Sequence, residues 1–179
     1  MYYIIYGLLY LISLLPFFIL YGISDFAYFI IYRIAGYRKA IVFNNLKIAF
    51  PEKTDVQRKQ IAKQFYKNLI DTFIETIKLL SISEKEFNRR AIINLDECNA
   101  LGRKGLNIQF QGGHQMNWEY VNWATAKKLE IPFVGVYMKI ANKALDKIFY
   151  KQRKKFGTVL VAATEFRNRM QPVLMNTAY

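Results

Sequence analysis

From Met1 to Tyr32 the chain is apolar almost without interruption. No charged side chain occurs in the first 24 residues, and Asp25 is the only one before Arg33. About 20 apolar residues suffice for a helix to cross a bilayer, so this stretch is predicted to be membrane-spanning. Pro16 is expected to kink it, leaving a spanning helix followed by an interfacial one; the competing reading is a helix buried in a core. Tyr2, Tyr3, Tyr6 and Tyr10 at one end, and Tyr28, Tyr32 and Tyr37 at the other, suit rings at a membrane interface. A secretory signal would need a basic start and a small-residue cleavage site, and neither is present. Residues 1–34 are therefore read as a leader and 35–179 as the body.

Beyond the leader the apolar positions take a helical period. Ile41, Val42, Leu46, Ala49 and Phe50 share a face, and Pro51 stops that helix. Thr54 and Gln57 form a capping-box pair ahead of Ile61, Phe65, Leu69, Phe73 and Ile77, a stripe at steps of four widened by Ile70 and Ile74. That long amphipathic helix is expected to bury its stripe in the core or against the leader. Ser83 and Glu86 repeat the box for a short helix, and "LDECNALGRKG" reads as another with its end. From Leu106 the rhythm changes: "LNIQF", "IPFVGVYM" and "TVLVAA" are short strand-like runs separated by the helical "NWEYVNWATAKKLE" and "NKALDKIFYKQRKKF". Alternating strands and helices imply right-handed crossovers and a parallel sheet. The expected class is α/β: an N-terminal membrane helix and helical region, then a mostly parallel sheet of about three strands with crossover helices.

Charge changes the picture. The chain carries 26 Lys and Arg against 13 Asp and Glu, a formal +13, and every base lies after residue 32. A body so basic seeks nucleic acid, anionic lipid or an acidic protein. The aromatics lie in apolar stripes and are not interleaved with lysines, which argues against nucleic acid. Lys139, Lys143, Lys147 and Lys151 recur at steps of four, followed by Arg153, Lys154 and Lys155. This row is either a solvated helix face or a docking surface for an acidic partner or lipid phosphate. Cys98 is the sole cysteine, so an internal disulfide is excluded.

Candidate chemistry centres on "QGGHQMNWEY", which holds the only histidine, His114. Glu119 follows five positions later, which on one regular helix would set the two about 140° apart. If the helix instead begins near Asn117, a suitable capping type, His114 belongs to the preceding loop. Gly112 and Gly113 then allow the loop to fold the imidazole over the carboxylate. Such a dyad is a general base steered by an acid. No serine stands in a nucleophile elbow, so the deprotonated hydroxyl belongs to the substrate and the acyl donor arrives activated, as a thioester. One histidine does not make a zinc site, and no metal or other cofactor is expected.

"GHQMNWE" resembles the H-x4-D/E motif of the glycerolipid acyltransferase superfamily, and its "NWE" ending is most similar to the bacterial lipid A biosynthesis acyltransferases (the lauroyl and myristoyl transferases). "YRKAIVFNNLKIAFPEK" and "VGVYMKIANKALDKIFYKQRKKFG" resemble family segments in the same order, so the likeness covers roughly residues 37–170. The resemblance implies a bacterial inner-membrane enzyme, its catalytic part on the cytoplasmic side. It would move an acyl chain from acyl carrier protein to a hydroxyl of a lipid A precursor. By position His114 is then the general base and Glu119 its orienting carboxylate, with Arg153 and Asn117 as substrate-binding candidates. The acidic carrier protein is the expected partner of the lysine row. Gln115 and Met116 depart from the family's more usual aromatic and glycine. The family also continues beyond "MQPVLMNTAY", so 35–179 is read as the N-terminal portion of the acyltransferase domain. A non-catalytic basic binding module and an inactive fragment are the rival expectations.

Overall fold

The computed structural model describes residues 1–113, 117–166 and 168. The apolar N-terminus forms two helices, α1 (Tyr2–Leu14) and α2 (Phe17–Tyr28), broken at Pro16. Pro16 cannot donate a helical hydrogen bond, and its extended backbone turns the chain. α2 runs on through a wider π-type segment, Phe29–Ala35, which ends at Gly36 in the left-handed region (φ 59°) that glycine adopts freely. The helix with the length and hydropathy to cross a membrane is Phe17–Ala35, 19 residues. It follows the kink, whereas a spanning helix ahead of an interfacial one was expected.

α3 (Lys39–Ala49) precedes α4 (Asp55–Lys78), the longest helix. Thr54 and Gln57 make the expected reciprocal capping box at the start of α4. The stripe differs by one position. Ala62, Tyr66, Ile70 and Ile74 are buried, while Phe65 and Phe73 are 45% and 54% exposed. The physical reason is that α4 has one covered side, and α2 lies along it. Leu20, Ile70 and Ile74 form one core cluster with Ile12, Leu15, Ala27, Tyr28 and Ile31 of the leader packed on it.

After α4 come α5 (Glu84–Arg90), capped by the Ser83 hydroxyl, and α6 (Asp96–Arg103). The Glu86 carboxylate takes bonds from Arg89 and Arg90. α7 (Trp118–Lys128), β1 (Val134–Tyr137), α8 (Lys143–Arg153) and β2 (Val159–Ala162) complete the order, closed by a 3-10 turn at Ala163–Glu165. β1 and β2 pair in parallel, Val134 with Val159 through Tyr137 with Ala162, with α8 as the crossover. The strand expected at "LNIQF" is absent, so among the described residues the sheet has two strands. Alternation supplies the faces of a strand but not a ladder partner. Here Leu106 and Phe110 stay 50% and 45% exposed, and the Phe110 and Phe133 rings meet edge to face at 6.0 Å. The larger core gathers Leu79, Ile82, Phe87, Trp123 and Ala124, and Phe17 of α2 reaches into it. Each large side chain so buried contributes about 1.5–3 kcal/mol.

Candidate active site

The site is built where the start of α7 meets the ends of α8 and α4. Glu119, in the first turn of α7, is 2% exposed. Its carboxylate accepts from Arg153 Nε at 3.0 Å to each oxygen and from Nη2 at 2.5 Å to Oε1. Trp118 Nε1 adds a bond to Oε1 at 3.1 Å. The two oxygens are therefore unequal. Oε1 is crowded by three donors, while Oε2 accepts among the described residues only from Arg153 Nε and keeps acceptor capacity. A fixed negative charge in the first turn is also favoured by the α7 dipole.

Arg153 is the last residue of α8, and its backbone is held as firmly as its guanidinium. Its carbonyl accepts from Asn122 Nδ2 at 3.0 Å, and Thr158 donates to Asn122 Oδ1 at 3.2 Å. Next to it, Gln152 donates to the Thr76 carbonyl at 2.9 Å, and its own carbonyl accepts from Trp123 Nε1 at 2.7 Å. The end of α8 is thus stapled to α4 and α7 by polar bonds, those of Gln152 fully buried, where a missing partner would be costly.

Asn117 stands at the N-cap position of α7, yet its side chain makes no cap. Its amide donates to the Thr72 carbonyl at 3.3 Å and to Glu75 Oε2 at 3.1 Å, both on α4. The expected capping role is corrected: a tertiary tether to α4 outcompetes the local bond, and the Asn117 side chain caps no N–H of the first turn of α7. Glu75 Oε1 in turn accepts from Tyr21 of α2 at 2.9 Å, so a polar chain runs from leader to site. Neither the Asn117–Glu75 tether nor the Tyr21–Glu75 link to it has a signal in residue spacing. Tyr120 lies beside this chain. Its hydroxyl has no partner among the described residues, and burial, reinforced by Glu75, pushes its pKa well up.

Among the sequence-derived site residues, the structure brings Glu119 and Arg153 into contact and sets Asn117 two positions before Glu119. His114 lies outside the described residues, with Gln115 and Met116. Among the described residues no three His, Cys, Asp or Glu side chains gather. The lysine row is divided: Lys139 precedes α8 and pairs with Glu165 at 2.9 Å, while Lys147 and Lys151 lie over the Tyr2 ring. A cleft of ≈ 500 Å³ opens there, lined by Tyr2, Tyr6, Leu79, Trp123, Lys151 and Lys155 among others.

The family model for bacterial lipid A biosynthesis acyltransferase matches residues 1–176. No curated protein and no solved structure matches the chain.

Proposed function

The chain belongs to the bacterial lipid A biosynthesis acyltransferase family, and on that premise we propose that it transfers a fatty acyl chain from an acyl carrier protein thioester to a hydroxyl of a lipid A precursor. His114 removes the hydroxyl proton, and the alkoxide attacks the thioester carbonyl. The tetrahedral oxyanion collapses with cleavage of the C–S bond, the new ester C–O bond remains, and the imidazolium returns its proton to the departing thiolate. A thiol of pKa about 8.5 leaves with little acid assistance.

The observation that carries this reading is Glu119: buried, charged, and gripped by Arg153 so that one oxygen retains acceptor capacity. A carboxylate in that state can orient an imidazole N–H and stabilise its cation. Arg153 is accordingly a positioning residue, and its Nη1 is the donor left for a substrate oxygen. We assign the oxyanion to the backbone N–H of Glu119 in the first turn of α7, supported by the turning of the Asn117 amide onto α4. The enzyme attaches to the cytoplasmic side of the bacterial inner membrane through its leader. The carrier protein, being acidic, is met by Lys143, Lys147, Lys154 and Lys155 on and after α8, all exposed.

The test is transfer by the purified protein from a radiolabelled acyl–carrier-protein thioester to a lipid A precursor, compared with His114→Ala. Loss of about 10²–10⁴-fold in rate is expected for a missing general base. Undiminished transfer by the variant contradicts the assignment.

A further inference from the structure

The leader passes the length test for a membrane span: 19 helical residues rise about 28 Å, close to the hydrocarbon thickness of about 30 Å. Its packing says otherwise. α2 runs antiparallel along α4, and polar pairs beside the buried Leu20 and along the exposed rim of that contact tie the two helices together. Tyr21 donates to Glu75 at 2.9 Å, Ser24 donates to Asp71 at 2.5 Å, and Asp25 pairs with Lys67 at 3.1 Å. The Tyr32 and Tyr66 rings meet at a tilt further along, and the Tyr66 hydroxyl donates to the Tyr37 carbonyl. At the other end Lys78 donates to the carbonyls of Ser13 and Leu15 at 2.8 and 2.9 Å, closing the C-terminus of α1. α2 therefore cannot cross a bilayer in this packing without carrying α4 with it. α4 exposes Lys59, Gln60, Gln64 and Asn68 on its surface, groups that hydrocarbon does not accept.

The outward faces are of the opposite kind. Ile4, Leu8, Leu11 and Leu14 of α1 recur at helical spacing and are 54–69% exposed. Phe18 and Phe26 of α2 and Phe29 and Ile34 beyond it are 52–76% exposed, and little of the Phe17–Ala35 helix is buried. A core helix is thereby excluded. Arg33 and Arg38 stand exposed at the end of this surface, beside the exposed Tyr37. An apolar face, a tyrosine and two guanidiniums in sequence match the layers of a lipid monolayer: acyl chains, interface, anionic phosphate.

We propose that the leader does not span. α1 and α2 keep their seat on α4 and dip their outward faces into one leaflet rich in anionic lipid, so the N-terminus and the body lie on the same side. This rests on the membrane attachment proposed above and fixes its mode.

The experiment uses the full chain with an epitope tag ahead of Met1 and Lys104→Cys in a Cys98→Ser background; Lys104 is exposed on the body. Sealed inner-membrane vesicles are treated with protease to score the tag, and separately with a membrane-impermeant maleimide to score the thiol. The expected result is that both sites are reached, or both protected, before detergent is added. A tag and a thiol on opposite sides overturn single-leaflet insertion and leave membrane attachment standing. Recovery of the protein in the soluble fraction overturns both. In parallel, Arg33→Gln/Arg38→Gln should weaken binding to phosphatidylcholine–phosphatidylglycerol vesicles roughly ten- to thirtyfold and leave binding to pure phosphatidylcholine vesicles unchanged. Equal binding of variant and parent to the mixed vesicles removes the anionic headgroup from the proposal.

Discussion

Asn117 and Glu119 stand two positions apart and face different partners, and the division prepares the site. Asn117 anchors the first turn of α7 to α4, while Glu119 turns toward the end of α8. Removing the Asn117 amide leaves the Glu75 carboxylate without one of its donors, so Asn117→Ala should cost about 1–3 kcal/mol in denaturant unfolding. The Glu119–Arg153 pair is steeper. Arg153→Ala strands a buried carboxylate and should destabilise by about 3–5 kcal/mol. Replacing both partners, as in Glu119→Gln/Arg153→Met, should cost clearly less than the sum of the single changes, and additive losses would show that the pair is not coupled. The sequence marked each member as a candidate site residue, but their pairing was not legible. They are 34 positions apart, and Arg153 stands among Lys151, Lys154 and Lys155, any of which has the charge. What selects Arg153 is the point at which α8 ends against α7, a tertiary fact. Asn117 misled for a related reason: its type favours a cap, and a buried partner on α4 won.

At the scale of elements, period and caps were good guides while pairing and facing were not. The Thr54–Gln57 box and the helical spacing announced α4, yet the stripe containing Phe65 and Phe73 is not the buried one. With apolar residues on both sides of the 61–77 stretch, spacing alone leaves the face open, and contact with α2 decides it. Ile70→Ala should therefore cost about 2–5 kcal/mol, and Phe73→Ala much less, both measured by denaturant unfolding. "LNIQF" shows the complementary limit, since alternation without a neighbouring strand makes no ladder. α5 supplies a pH test. The hydrogen bonds from Arg89 and then Arg90 hold the Glu86 carboxyl down at about 2, below its usual 4.5. A depressed pKa stabilises the fold above the unfolded value, and that contribution fades as pH falls from about 4.5 toward 2. The difference in Tm between parent and Glu86→Gln should shrink over that window and be steady above it.

Across the molecule, the leader and the body are one packed unit. Phe17 enters the core around Trp123, under the Arg90 guanidinium at 3.5 Å, and Leu20 closes the cluster on α4. The hydropathy profile divided the chain at residue 34 because it registers composition and not contact. The same packing connects the leader to the proposed chemistry through Tyr21, Glu75 and Asn117. Tyr21→Phe removes one bond at the far end of that chain, and a several-fold fall in kcat with little change in stability is the expected reading. The proposed chemistry turns on the buried carboxylate of Glu119 acting through the proposed base His114, and the pH–rate profile of Glu119→Gln tests this most directly. A carboxylate that steers and stabilises an imidazolium raises its pKa above the ordinary value of about 6.5. Glu119→Gln is therefore predicted to lower kcat by about 10²-fold or more and to move the acid limb of the profile to lower pH. A variant with the parent's kcat and an unmoved acid limb would contradict it.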